Sequence, residues 1–147
     1  MMRLVPAPVA VVTVDLEGER LGLTVASLVS LSLEPPLVGV AINRQAALHE
    51  LLRRAGEFGV SVLAAGQEHL AQHFARGVPP IALWSAVPVR PGDGPPLLED
   101  ALAWLRCRVS DERETGDHTL FVGEVFDAER GRGEHALVYL DRRYVSA

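Results

Sequence analysis

Two neighbouring stretches, Gly22-Leu-Thr-Val-Ala-Ser27 and Ser30-Leu-Ser-Leu-Glu-Pro-Pro36, decide how this chain is read. Their apolar residues suit a strand, yet Thr24, Ser27, Ser30 and Ser32 place hydroxyls along it. A hydroxyl in a strand must find a partner or water. Two readings stay open on composition alone. The hydroxyls face solvent, or they face a flat ring with carbonyl and N–H edges, which the small Gly22 and Ala26 would let approach the backbone.

Working outward, Val9 to Val14 is rich in β-branched residues and ends at the turn signal Asp15-Leu-Glu-Gly18. The segment resumes at Leu21 and runs to Ser32, so a hairpin feeding one long, bent strand is predicted. Pro35 and Pro36 stop it, and Leu37 to Ile42 is the next strand. Asn43 is placed to cap a helix whose apolar face is Ala47, Leu48, Leu51, Leu52 and Ala55, and Gly56 ends it. Phe58 to Leu63 alternates as a strand. Leu70, Ala71 and Phe74 mark a second short helix, closed by Gly77.

Val78 to Leu97 holds most of the prolines and reads as a long irregular loop. Leu102 to Val109 alternates, with Ala103, Leu105, Cys107 and Val109 on one face. Thr119 to Phe126 and Ala136 to Leu140 are further strands. About seven strands with two helices in the middle, and no repeating βαβ pattern, predict a mainly β, closed or split barrel.

The 147 residues are read as a single domain, 1–147, with 48% hydrophobic residues to build its core. The net charge of -5 and the scattered arginines argue against nucleic acid. Cys107 stands alone, which excludes an internal disulfide and a cysteine-based zinc site. The N-terminus has no signal-peptide pattern and no apolar run reaches the roughly 20 residues of a membrane span, so no membrane partner and a cytoplasmic location are expected. His69 and His73 have i, i+4 spacing, but with no third ligand in view they are read as exposed polar residues and no metal is expected. Trp84, in the long loop, either covers a ligand or anchors the loop. Val-Arg-Pro-Gly-Asp-Gly94 opens no helix, so a separate dinucleotide-binding domain is not expected.

The opening stretches resemble the first motif of the flavin reductase family, which has an FMN-binding split barrel and includes reductase components of two-component monooxygenases. More of that family's pattern follows in chain order. Gly56-Glu-Phe58-Gly-Val-Ser-Val-Leu63 is similar to its next strand, and Gln67 through Ala75 to its second helix. Gly116-Asp117-His118 and Phe121-Val122-Gly123-Glu124-Val125 resemble its late signatures, and Leu137-Val138-Tyr139 with Tyr144 its closing strand.

The resemblance implies hydride transfer from NAD(P)H to FMN or FAD, a homodimer, and a monooxygenase or other electron-accepting partner. It implies that Thr24, Val25, Ala26 and Ser27 hold the ring edge, with Ser30 and Leu31 beside it. Asn43, Arg44, Gln45 and Ala47 would meet the phosphate end, where Arg44 matches the family and Ala stands in place of its hydroxyl residues. Tyr144 joins the cofactor set. His118 is implied to lie near flavin and nicotinamide; without the resemblance it reads as a turn histidine bonded to Asp117. A non-catalytic flavin-binding electron carrier is the alternative, and a barrel serving only as an interaction module is a third reading.

Overall fold

The computed structural model describes residues 1–147. A 3-10 turn at Met2–Leu4 precedes β1 (Ala7–Pro8), β2 (Ala10–Leu16) and β3 (Glu19–Val25). Then come β4 (Val29–Leu33), β5 (Pro36–Asn43), α1 (Ala47–Ala55), β6 (Glu57–Val62), α2 (Glu68–Ala75) and α3 (Pro80–Leu83). The chain closes with β7 (Ala103–Thr115), β8 (His118–Arg130), β9 (Leu137–Leu140) and β10 (Arg143–Ser146). Two sheets result: a seven-stranded one in the order β3-β2-β6-β7-β8-β5-β4, and a three-stranded one in the order β1-β9-β10.

The order of the large sheet explains its curvature. β3 and β4 are its two edges, yet only Ala26, Ser27 and Leu28 separate them in sequence. In a flat seven-stranded sheet the edges would stand roughly 29 Å apart, at about 4.8 Å per strand. Three residues bridge at most about 14 Å. The sheet therefore curls until its edges face each other, which makes the split barrel. The single bent strand expected from Leu21 to Ser32 is thus two strands on opposite edges. Ten strands form rather than about seven, the additional ones being two to five residues long.

β2 is buried along Ala10 to Val14, on both faces. One face looks into the barrel, where Val12, Val60, Phe58, Ile42, Val40, Cys107 and Phe121 form the core. The other is roofed from outside. Thr13 Oγ donates to the Pro96 carbonyl at 2.7 Å, Leu98 N–H donates to Ser61 Oγ at 2.9 Å, and Trp104 Nε1 donates to the Leu98 carbonyl at 2.7 Å. The irregular segment before β7 is therefore pinned down as a wall of the domain. Burial on both faces is why β2 lacks polar alternation.

The helices follow the apolar spacing. Leu48, Leu51 and Leu52 are the buried face of α1. Gly56, with φ 69°, ends it in a left-handed conformation that favours glycine, and its N–H donates to the Leu52 carbonyl. The N-terminal expectation is corrected: the N-cap is Ala46, without a side-chain hydrogen bond, and Asn43 Oδ1 instead accepts from Gln45 N–H at 2.9 Å, inside the turn. On α2 the buried face is Leu70, Ala71 and Phe74, and the helix stops at Arg76, one residue before Gly77. His73 is half-buried rather than exposed, its Nε2 2.6 Å from the Leu83 carbonyl of α3. Trp84 proves to be an anchor: Nε1 donates to the Arg20 carbonyl at 2.9 Å and the ring packs on Phe74 at 5.2 Å.

Candidate flavin site

β3 is paired on one side only, by β2, so its other edge retains alternating main-chain N–H and C=O groups outside the sheet. A cleft of about 460 Å³ runs along that edge, lined by Leu23, Thr24, Val25, Ala26, Ser27, Ala41, Asn43 and His118. Barrel closure brings these parts together. β5 pairs with β8 in a register that sets Asn43 opposite His118, and the curled sheet carries both to the end of β3. Asn43 also lines a second, polar cavity of about 700 Å³, with Arg44, Gln45, His49, Glu50, Arg53, Glu112, Glu114, Asp117 and Thr119.

The Thr24 and Ser27 hydroxyls are engaged with protein. Thr24 Oγ donates to the Ala71 carbonyl of α2 at 2.7 Å. Ser27 Oγ accepts from Ala41 N–H at 2.9 Å and is 3.1 Å from the Ala41 carbonyl, to which it donates. Ser27 stands where the β4–β5 ladder would continue, since Val29 pairs with Gly39. Its side chain there replaces a strand's main chain and fastens the link between β3 and β4 to β5. What this strand offers to the cleft is therefore main chain and small or apolar side chains, with Ala26 exposed.

His118 belongs both to the turn and to the cleft. It lines the cleft, and its Nδ1 is 2.7 Å from Asp117 Oδ1. The His118 hydrogen bond, followed by the positive charge that ring can carry, holds the Asp117 carboxyl below the usual carboxylate range. Gly116, at φ 70°, and Asp117 form the two-residue turn between β7 and β8, so the Gly-Asp-His sequence is turn chemistry that aims an imidazole at the cleft. The Arg44 N–H donates to the Asp117 carbonyl at 3.0 Å and clips the Asn43–Ala47 turn onto this hairpin.

Other expected residues lie elsewhere. Ser30 and Leu31 are exposed on β4 and are not among the residues lining the cleft. Tyr144 sits on the three-stranded sheet, 5.2 Å from Tyr139 ring to ring, and one chain does not bring it to the cleft. Burial raises its hydroxyl pKa, with a smaller contribution from Tyr139. Leu23, Ala41, Glu112 and Glu114 are lining residues that the sequence reading does not include. Their placement follows from sheet closure and from the β7–β8 hairpin meeting the Asn43 turn, which residue spacing does not reveal. Cys107 is wholly buried, and burial pushes its thiol up to about 12.

The donor set suits a flavin. A cleft with a free strand edge can hydrogen-bond a ring's carbonyl and N–H groups, small residues allow close approach, and an adjoining polar cavity can take a ribityl chain.

Comparison with known proteins shows the family. The flavin reductase like domain family matches residues 1–147. The NADH-dependent FAD reductase of Streptomyces globisporus is 39% identical over 143 residues, 95% of this chain and 78% of that protein. The reductase component of 4-hydroxyphenylacetate 3-monooxygenase from Thermus thermophilus is 41% identical over 140 residues, 92% of this chain and 85% of that protein. Among solved structures, the Streptomyces globisporus NADH:FAD oxidoreductase in complex with NAD and FAD fragments superposes with a TM-score of 0.92 at 37% identity, covering 98% of this chain and 87% of that one. With its whole length matched and its barrel shared, the chain belongs to the flavin reductase like domain family.

Proposed function

We propose that this protein is an NAD(P)H-dependent flavin reductase that passes hydride from a nicotinamide nucleotide to FMN or FAD. The observation that carries the reading is the cleft on the free β3 edge, closed at one end by Asn43 and His118. It is supported by relatives named as NADH-dependent flavin reductases that match most of the chain. A flavin supplies the hydride-accepting ring. The protein's part is to position it: main-chain groups from Thr24 to Ser27 hold the ring edge, and Asn43, Arg44, Gln45 and Ala47 face the ribityl and phosphate end. His118 stands where it can touch a nicotinamide stacked on the ring. Hydride transfer needs stacking and orientation, and no protein acid or base is required at the reacting carbon.

Related proteins are reductase components of two-component monooxygenases, which supports a monooxygenase as the consumer of the reduced flavin. A homodimer is supported by β4, an edge strand that exposes Val29, Leu31 and Leu33, the last 88% exposed. Pairing through β4 would cover that apolar stripe and bring Ser30 and Leu31 into the interface. A cytoplasmic location accords with the demand for reduced nicotinamide nucleotide. No helix is long and apolar enough to cross a membrane.

Anaerobic stopped-flow mixing of flavin-loaded protein with NADH, then NADPH, tests the activity. Rapid bleaching of the oxidised flavin is expected with at least one of them. Bound flavin that neither nucleotide bleaches would establish the electron-carrier alternative instead.

A further inference from the structure

The polar cavity beside the Asn43–Ala47 turn has a charge balance opposed to what a phosphate requires. Its arginines are Arg44 and Arg53, and they share the lining with Glu50, Glu112, Glu114 and Asp117. Both arginines are already engaged. The Arg44 guanidinium lies 3.5 Å from Glu114 Oε1 and donates to the Gly116 carbonyl at 3.1 Å. Arg53 reaches Glu112 at 3.0 Å and Glu50 at 3.5 Å. Ala46 and Ala47 bring no hydroxyl to the start of α1, whose N-cap makes no side-chain hydrogen bond.

A phosphate carries a charge of about -1.5 to -2 near neutral pH. At Arg44 it must displace Glu114 or lie beside it, and Asp117 stands in the same cavity. The ring cleft has no such conflict, because no carboxylate lines it.

We infer that this chain selects flavins by the ring and gains little from the phosphate, with Glu114 as the residue that sets this preference by occupying Arg44. The inference rests on the functional reading above and adds that the FMN phosphate gains little affinity over riboflavin. Glu114 sits in the β7–β8 hairpin, one residue before the turn strand ends at Thr115, and its side chain is 76% exposed. Its replacement therefore leaves the core untouched.

The test is equilibrium binding of riboflavin and FMN, followed by flavin fluorescence, to the wild-type protein and to Glu114→Gln. In the wild type the two dissociation constants should agree within about threefold, as expected where an exposed ion pair offsets the phosphate. Glu114→Gln should tighten FMN by about three- to tenfold and leave riboflavin unchanged, and the gain should shrink in high salt. FMN binding ten or more times tighter than riboflavin in the wild type would overturn the inference. So would a Glu114→Gln effect that is absent or equal for both flavins. If neither flavin binds, the reading of the cleft as a flavin site fails first, and the inference with it.

Discussion

Replacing Ser27 by Ala separates two roles that the sequence left merged. Ser27 Oγ accepts the Ala41 N–H at 2.9 Å and donates to the Ala41 carbonyl at 3.1 Å, so the substitution removes two hydrogen bonds from the closure of the barrel. Both Ala41 groups are partly buried, and no other strand pairs with that side of β5 at Ala41. At about 0.5–1.5 kcal/mol net per bond, the loss is about 1–3 kcal/mol. For a chain of this length that corresponds to a fall in melting temperature of roughly 3–9 °C. Thermal and urea denaturation of the flavin-free protein read it directly. Flavin affinity should weaken less than stability does, because the ring is held by main chain. A variant as stable as wild type that has lost flavin binding would refute this reasoning and make the hydroxyl a ligand donor.

Other perturbations probe the supporting structure. A Cβ at Gly123 would stand 2.6 Å from Phe58 Cζ and 2.9 Å from Cys107 Cβ, so Gly123→Ala should destabilise by about 1–3 kcal/mol in urea denaturation. Trp84→Phe should lose the bond to the Arg20 carbonyl, costing about 1 kcal/mol, and proteolysis should accelerate within the loop that the indole anchors. Cys107 should resist Ellman's reagent at pH 8 until denaturant is added. Its folded pKa is raised from 9.0 to about 12, so the protein keeps the full contribution below pH 9 and loses it as pH climbs toward 12. The loss reaches about 4 kcal/mol at about 1.4 kcal/mol per unit, read as denaturation midpoint against pH and absent in Cys107→Ala.

Local rules carried much of the fold. The leucine spacing on α1 and its glycine stop are contained in one short segment, and the structure keeps them. The Glu17–Gly18 turn between β2 and β3 is similarly local, with φ of 54° and 88° and Asp15 Oδ1 accepting the Gly18 N–H. The break at Ala26 to Leu28 was not legible, because nothing in that run stops a strand; it exists because the sheet closes there. Thr24 and Ser27 were visible as surplus hydroxyls, but their partners Ala71 and Ala41 lie 47 and 14 residues away and appear only after folding. The pairing of Arg44 with Glu114 depends in the same way on the β7–β8 hairpin meeting the Asn43 turn. Trp84 lies in a segment without periodicity, so its anchoring role required the positions of Arg20 and Phe74.

The central claim is that flavin sits along the free edge of β3, and Ala26→Trp tests it most directly. Ala26 is exposed and lines the cleft, so an indole there fills the ring site without entering the core. Riboflavin titration followed by fluorescence should show affinity falling at least about tenfold, while the melting temperature of the flavin-free protein stays at the wild-type value. Unchanged riboflavin affinity in a fully folded Ala26→Trp protein would contradict the account and move the flavin elsewhere.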